Sequence, residues 1–129
     1  KINTITYKPK KIEGVWDFPL VKLQLAHSKK GTLSMDYDHY KAQSGAKNIG
    51  YYSKKFENEV VETYLRYFRY NYNKSRIPMH IGHHFSQWNK GVYWGAMKRF
   101  AKAVCHKPQV VCGTYKELVR FLEKEKSSS

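Results

Sequence analysis

Between residues 32 and 122 the apolar period switches repeatedly between two and about 3.6 residues, and this alternation limits the folds open to the chain more than any other feature. TLSMDY (32–37), introduced by the turn signal Ser28-Lys29-Lys30-Gly31, reads as a short strand. From Ser53 the period becomes helical: Val61, Leu65, Phe68 and Tyr72 form a stripe that Val60, Tyr64 and Tyr67 widen, with Glu57, Glu59 and Glu62 in the early turns, where the helix dipole favours acids. IPMHIGHHF (77–85), opened by Pro78, reads as a second strand, and Tyr93, Ala96, Met97, Phe100, Ala101 and Val104 fit a second helix. VVC (110–112) is a minimal strand, and Thr114 with Glu117 makes a capping box for a third helix that turns Leu118, Phe121 and Leu122 inward. Strand, helix, strand, helix, strand, helix predicts parallel strands with covering helices, hence an α/β sheet or part of a (β/α) barrel. In both architectures ligands gather at the carboxyl ends of strands. Asp36, Asp38 and His39 stand at the first of those ends, and His83 and His84 at the second.

A chain of 129 residues with 41% hydrophobic content has room for one core, which excludes a disordered tail and a membrane span. Residues 1–126 are expected as a single domain, with 127–129 a frayed Ser tail. The net charge of +14 is uneven: residues 1–64 hold 11 basic and 7 acidic groups, and residues 65–129 hold 13 and 3. Such an excess permits nucleic acid, an anionic polymer or an acidic surface as partner, and equally serves solubility alone. An aromatic content of 16% suits stacking on sugars or bases.

Lys1 is not an initiator Met and KINTITYKPKK has no apolar run of signal-peptide length, so the chain reads as processed, trimmed or excised from something longer. Cys105 and Cys112 flank a turn containing His106, Lys107 and Pro108. That spacing suits a disulfide closing a small loop, which would imply an oxidising setting; free buried thiols, or a metal with His106 as third ligand, are the alternatives.

His80, His83 and His84 crowd into five positions, followed by Trp88, Asn89, Tyr93 and Trp94. A strand-end histidine can work as general acid or base because its unperturbed pKa is about 6.5. On an alternating strand His80 and His84 share one face and His83 points to the other. Zinc binding through H-x-x-H-H would need a further ligand, for which Asp36 or Asp38 is available; structural, hydrogen-bonded imidazoles are the simpler alternative. A carboxylate such as Asp36 at the end of a buried strand needs a partner, whether histidine, arginine or metal, unless it serves as a helix or turn cap. Trp88 is a candidate sugar platform or a core residue, and the VWDFPL segment around Trp16 a candidate rim. Asn73-Lys74-Ser75 matches a glycosylation sequon. No phosphate loop, dinucleotide fingerprint, G-x-S-x-G elbow or HExxH occurs, so phosphoryl transfer, hydride transfer and the standard hydrolase nucleophile have no support.

Three stretches taken together, GVWDFPL with TLSMDYDHY, then SRIPMHIGHHFSQWNKGVYWGAMKRF, then VCHKPQVVCGTYKELVRFL, resemble the C-terminal portion of secreted polysaccharide deacetylases of the NodB-homology, chitin deacetylase-like superfamily. The resemblance covers residues 14–122, and IGHHFSQWN with the following YW is its most specific part. It implies the C-terminal part of a distorted (β/α) barrel that removes N-acetyl groups from aminosugar polymers, with a divalent metal, usually zinc, activating water. It implies His84 first and His83 second as the catalytic acid, Asp36 as a pocket residue that tunes neighbouring charges, and Trp88, Trp16 and Tyr93 as the sugar-binding wall. The family's metal ligands, an aspartate from an Asp-Asp motif and two histidines from a His-x-x-x-His motif, have no counterpart here and are expected in an N-terminal portion. Arg76-Ile77-Pro78 imitates the family's Arg-x-Pro motif but directly precedes the histidine strand. A half barrel leaves strand edges open, so that portion is also an expected partner, beside the N-acetylated polymer. A secreted, periplasmic or cell-surface location follows from the same resemblance. The competing reading is a basic, aromatic-rich module that binds a glycan or, less favoured, nucleic acid without catalysis.

Overall fold

The computed structural model describes residues 10–12, 15–17, 20–74, 76–84 and 86–128. Four short strands form two antiparallel hairpins: β1 (Lys10–Ile12) pairs with β2 (Val15–Asp17), and β3 (Lys22–Gln24) with β4 (Gly31–Leu33), the latter in the register Leu23 opposite Thr32. Helix α1 (Asp36–Ser44), helix α2 (Ser53–Asn73), helix α3 (Val92–Val104) and helix α4 (Tyr115–Ser128) follow.

The helical stripes read from the sequence supply part of the core, with Leu65 and Phe68 only partly buried against it. Val60, Val61, Tyr64 and Tyr67 of α2 pack on Val92, Tyr93, Ala96, Phe100 and Val104 of α3, with Val21, Leu23 and Tyr40 closing the cluster from the hairpin and α1. The capping box forms reciprocally, the Thr114 N–H donating to Glu117 Oε1 at 3.0 Å and the Glu117 N–H to Thr114 Oγ1 at 3.3 Å. Cys105 and Cys112 are joined in a disulfide. Among the described residues no helix is long and apolar enough to cross a membrane.

The strands depart from the expected alternation. TLSMDY is a strand only as far as Leu33; at Asp36 the chain turns into α1, which ends at Gly45 in a left-handed conformation (φ 62°) that donates its N–H to Lys41 C=O. VVC is not a strand. The 77–84 stretch is extended, and its pairing consists of two isolated parallel bridges, Leu20 with His80 and Met35 with Gly82. Among the described residues parallel pairing is confined to this one segment, and the strands otherwise pair antiparallel.

Ser34 joins the segment to the hairpin. Fully buried, it accepts the Val21 N–H on its hydroxyl oxygen at 2.8 Å, donates that hydroxyl to His80 C=O at 2.6 Å, and receives the Gly82 N–H on its carbonyl at 2.8 Å. One hydroxyl thus bridges two backbones that lack a full ladder between them. The 80–84 stretch is thereby set alongside the start of α1.

Candidate active site

The first residue of α1, Asp36, is completely buried. A carboxylate there needs its lone pairs filled. Oδ1 accepts the Tyr37 N–H at 2.7 Å and Oδ2 accepts the His84 N–H at 2.7 Å, while His84 Nδ1 lies 3.1 and 3.3 Å from the two oxygens. The partner expected for this carboxylate is therefore a histidine. With Nδ1 turned to Asp36, Nε2 is directed away from it on a ring whose side chain is 71% exposed. An imidazole oriented through one nitrogen by a buried carboxylate, with its other nitrogen accessible, is equipped to pass a proton to a bound molecule.

His83 faces the opposite way, as alternation along an extended chain requires. Its Nε2 is 2.6 Å from the Tyr64 hydroxyl, which is in turn 2.6 Å from His39 Nε2, and His39 Nδ1 is 3.0 Å from Thr32 Oγ1. A continuous hydrogen-bonded chain thus runs from β4 through α1 and α2 to the residue beside His84. Burial pushes the His83 imidazole down to about 4, against the pull of the Asp36 carboxylate and the Tyr93 backbone. Burial likewise holds His39 well below the ordinary histidine range, with His83 adding repulsion. The Tyr64 phenol is driven far above its usual range by burial and then by the Asp36 and Asp38 carboxylates. His83 is thus neutral at physiological pH and engaged with Tyr64, so of the two candidate acids His84 has the freer ring and His83 is a framework residue.

The aromatic candidates separate. Trp88 stacks on Tyr40 at 4.9 Å with the planes 3° apart, and meets Tyr37 edge-on at 5.7 Å. Tyr37 is 45% exposed and follows Asp36 directly, so it and the half-buried Trp88 form an aromatic ledge on the same helix end that holds His84. Tyr93 is fully buried, its hydroxyl accepting from Asn89 Nδ2 at 2.9 Å, and burial pushes its phenol up; it belongs to the core and presents no surface to a sugar. The backbone of Trp16 lies in β2, and its side chain is outside the described part of the structure.

Sequence reasoning missed Tyr37, Thr32 and Tyr64 as site residues. The usable signal was Asp36-x-x-His39 followed by Gly45: acidic residues at a helix start and a glycine at its end mark α1, and on a helix positions i and i+3 share a face. No metal centre is assembled here: among the described residues no three His, Cys, Asp or Glu side chains gather to hold an ion, and the Asp36 oxygens are already committed. No family model matches the chain, and neither a curated protein nor a solved structure does.

Proposed function

We propose that the chain is the acid-bearing portion of a carbohydrate deacetylase, in which His84 protonates the amine that departs when an N-acetyl group is hydrolysed. The observation that carries this reading is the pairing of an exposed imidazole with a fully buried carboxylate, His84 with Asp36. In the reaction, water adds to the acetyl carbon and gives up its two protons, one on addition and one as acetate forms; the C–N bond breaks, the sugar nitrogen takes a proton from His84 Nε2, acetate leaves, and one of the protons released by water restores His84. Asp36 holds the ring by Nδ1 and so directs Nε2 away from itself. Tyr37 and Trp88 offer apolar faces to the sugar ring.

Water activation in such a reaction belongs to a divalent metal, usually zinc. Among the described residues no three metal-ligating side chains gather to hold one, and in this reading its ligands come from an N-terminal portion of the same enzyme. The disulfide supports a secreted, periplasmic or cell-surface protein.

Acetate release from N-acetylated aminosugar oligomers, by the polypeptide that carries this segment together with its metal-binding portion, tests the reading. His84→Ala is expected to lower turnover about 100-fold or more while leaving oligomer binding nearly unchanged; unchanged turnover would refute it.

A second reading has its own observation. Arg66, Arg69, Tyr70, Asn73 and Lys74 line a shallow groove along α2, a cationic surface with an exposed aromatic ring. It suits an anionic polymer, and its binding would weaken steeply with salt.

A further inference from the structure

His84 and His83 are adjacent, so a restraint on the His83 ring also limits the backbone that carries the His84 ring. Among the described residues, the His84 ring is held by forked contacts to Asp36, at 3.1 and 3.3 Å, on a side chain that is 71% exposed. Left to those contacts, the ring would swing. On the far side of the backbone His83 is anchored by a much firmer device, the 2.6 Å contact to Tyr64 that continues through His39 to Thr32.

That device is expensive if packing is its only purpose. Tyr64 and His39 are both completely buried, and apolar side chains of similar volume would fill the same space without desolvating two ring nitrogens and a hydroxyl. The chain runs to His83, the neighbour of the exposed imidazole, whose ring the Tyr93 backbone also meets. Both controls also start from one helix face, since Asp36 and His39 are three residues apart on α1.

We propose that Tyr64, held in place by His39 and Thr32, is a positioning residue that fixes the ring of His84 by anchoring His83. The inference rests on reading His84 as the working acid, but its readout does not depend on catalysis. Anchoring needs a polar atom where His83 Nε2 stands; it does not need an imidazole. Glutamine places an amide near that position, whereas leucine fills similar volume with nothing for Tyr64 to bond.

The test is long-range proton–nitrogen NMR of the imidazoles in the 129-residue chain. In the wild type the two nitrogens of neutral His84 are expected to be widely split, as for a single tautomer protonated at Nδ1 toward Asp36. His83→Gln should retain that splitting and His83→Leu should lose it, the two signals converging toward the average of the two tautomers. Tyr64→Phe, which removes one oxygen, should lose it as His83→Leu does and serves if the leucine variant fails to fold. A splitting that survives in folded His83→Leu or Tyr64→Phe, or one that is lost in folded His83→Gln, overturns the proposal. These results differ from failure of the deacetylase reading, which would show as turnover retained in His84→Ala whatever the His84 tautomer.

Discussion

Asp36 and His39 lie three residues apart on the same face of α1, and each controls one member of the adjacent pair His83-His84: Asp36 bonds His84 directly, and His39 reaches His83 through the Tyr64 hydroxyl. A nine-residue helix of weak amphipathicity thereby organises the polar centre of the molecule.

Removing the carboxylate should therefore cost more than one hydrogen bond. Asp36→Ala leaves the N–H groups of Tyr37 and His84 without their acceptor, and a loss of about 2–4 kcal/mol is expected from urea unfolding. Asp36→Asn keeps an acceptor oxygen and should cost about half as much, yet it replaces charge-assisted hydrogen bonds to the Tyr37 and His84 N–H groups with neutral ones.

The buried histidines and then Glu59 make stability fall with acidity in two stages. In the unfolded chain an imidazole takes its proton near pH 6.5, whereas folded His83 resists until about 4 and His39 also titrates well below 6.5. The unfolded state therefore binds more protons in that window, and stability decreases as pH falls from about 6.5 towards 4, by on the order of 2–3 kcal/mol from His83. A second loss follows below about 4.5. Burial opposes ionisation of Glu59, but the N–H groups of Ser28 and His27 and the Gln43 amide outweigh it and lower its pKa from 4.5; the stability this gives is present above 4.5 and lost as pH falls through the lowered value. Thermal melts across pH 3–8 check both stages, with His83→Gln flattening the first and Glu59→Gln the second.

Asn89 is expected to be among the most sensitive polar positions in the chain. Fully buried in a left-handed conformation (φ 48°), it accepts the Ile49 N–H on Oδ1 at 2.7 Å, donates Nδ2 to Ser44 Oγ at 3.1 Å and to Tyr93 Oη at 2.9 Å, and donates its own N–H to Asn48 Oδ1 at 2.8 Å. Asn89→Ala should cost about 3 kcal/mol or more, and Asn89→Gly, which tolerates the backbone but lacks the amide, should recover only a fraction of that loss. Chemical denaturation of the two variants gives the comparison.

The Cys105–Cys112 disulfide closes a short loop, so its contribution should be modest. Loop-entropy arithmetic for a ring of this size gives about 2–3 kcal/mol. A Cys105→Ser, Cys112→Ser double variant, or reduction of the wild type, should lower the denaturation midpoint accordingly. Exchange protection in α4 should fall first, because the bridge and the Tyr72 hydroxyl bonded to Pro108 C=O at 2.8 Å fasten the loop that precedes it.

Tyr37 and Trp88 can be separated by their surroundings. Tyr37→Ala removes an exposed ring and should weaken binding of N-acetylated oligomers roughly tenfold with little change in stability. Trp88→Ala also removes the ring stacked on Tyr40 and should lower stability as well. Calorimetric titration together with melting curves distinguishes the two.

How far the sequence could be read depended on the kind of interaction. The stripes of α2 and α3 and the Thr114–Glu117 cap were legible because their signals are local and periodic. The hairpin β3–β4, the turn into α1 at Asp36 and the lone bridges at His80 and Gly82 were not, because they depend on distant partners: Ser34 reaching Val21 and His80, and Thr63 Oγ1 accepting the Ala26 N–H from 37 residues away. Asp36 and His84 could be nominated singly from burial pattern and clustering, and their contact was expected only as a class, a carboxylate with some partner. Tyr64 was hidden in plain sight as one more member of an apolar stripe, since its hydroxyl partners lie 25 residues before it and 19 after.

The central claim is that His84, oriented by Asp36, faces an N-acetylated aminosugar. The most direct measurement is an NMR titration of the isotope-labelled chain with N-acetylated oligomers, followed at the His84 imidazole and the Trp88 indole. The account predicts saturable shifts at both positions, diminished in Asp36→Asn and Tyr37→Ala. Shifts confined to Arg66, Arg69 and Tyr70 on α2, or none at His84 at saturating oligomer, would contradict it.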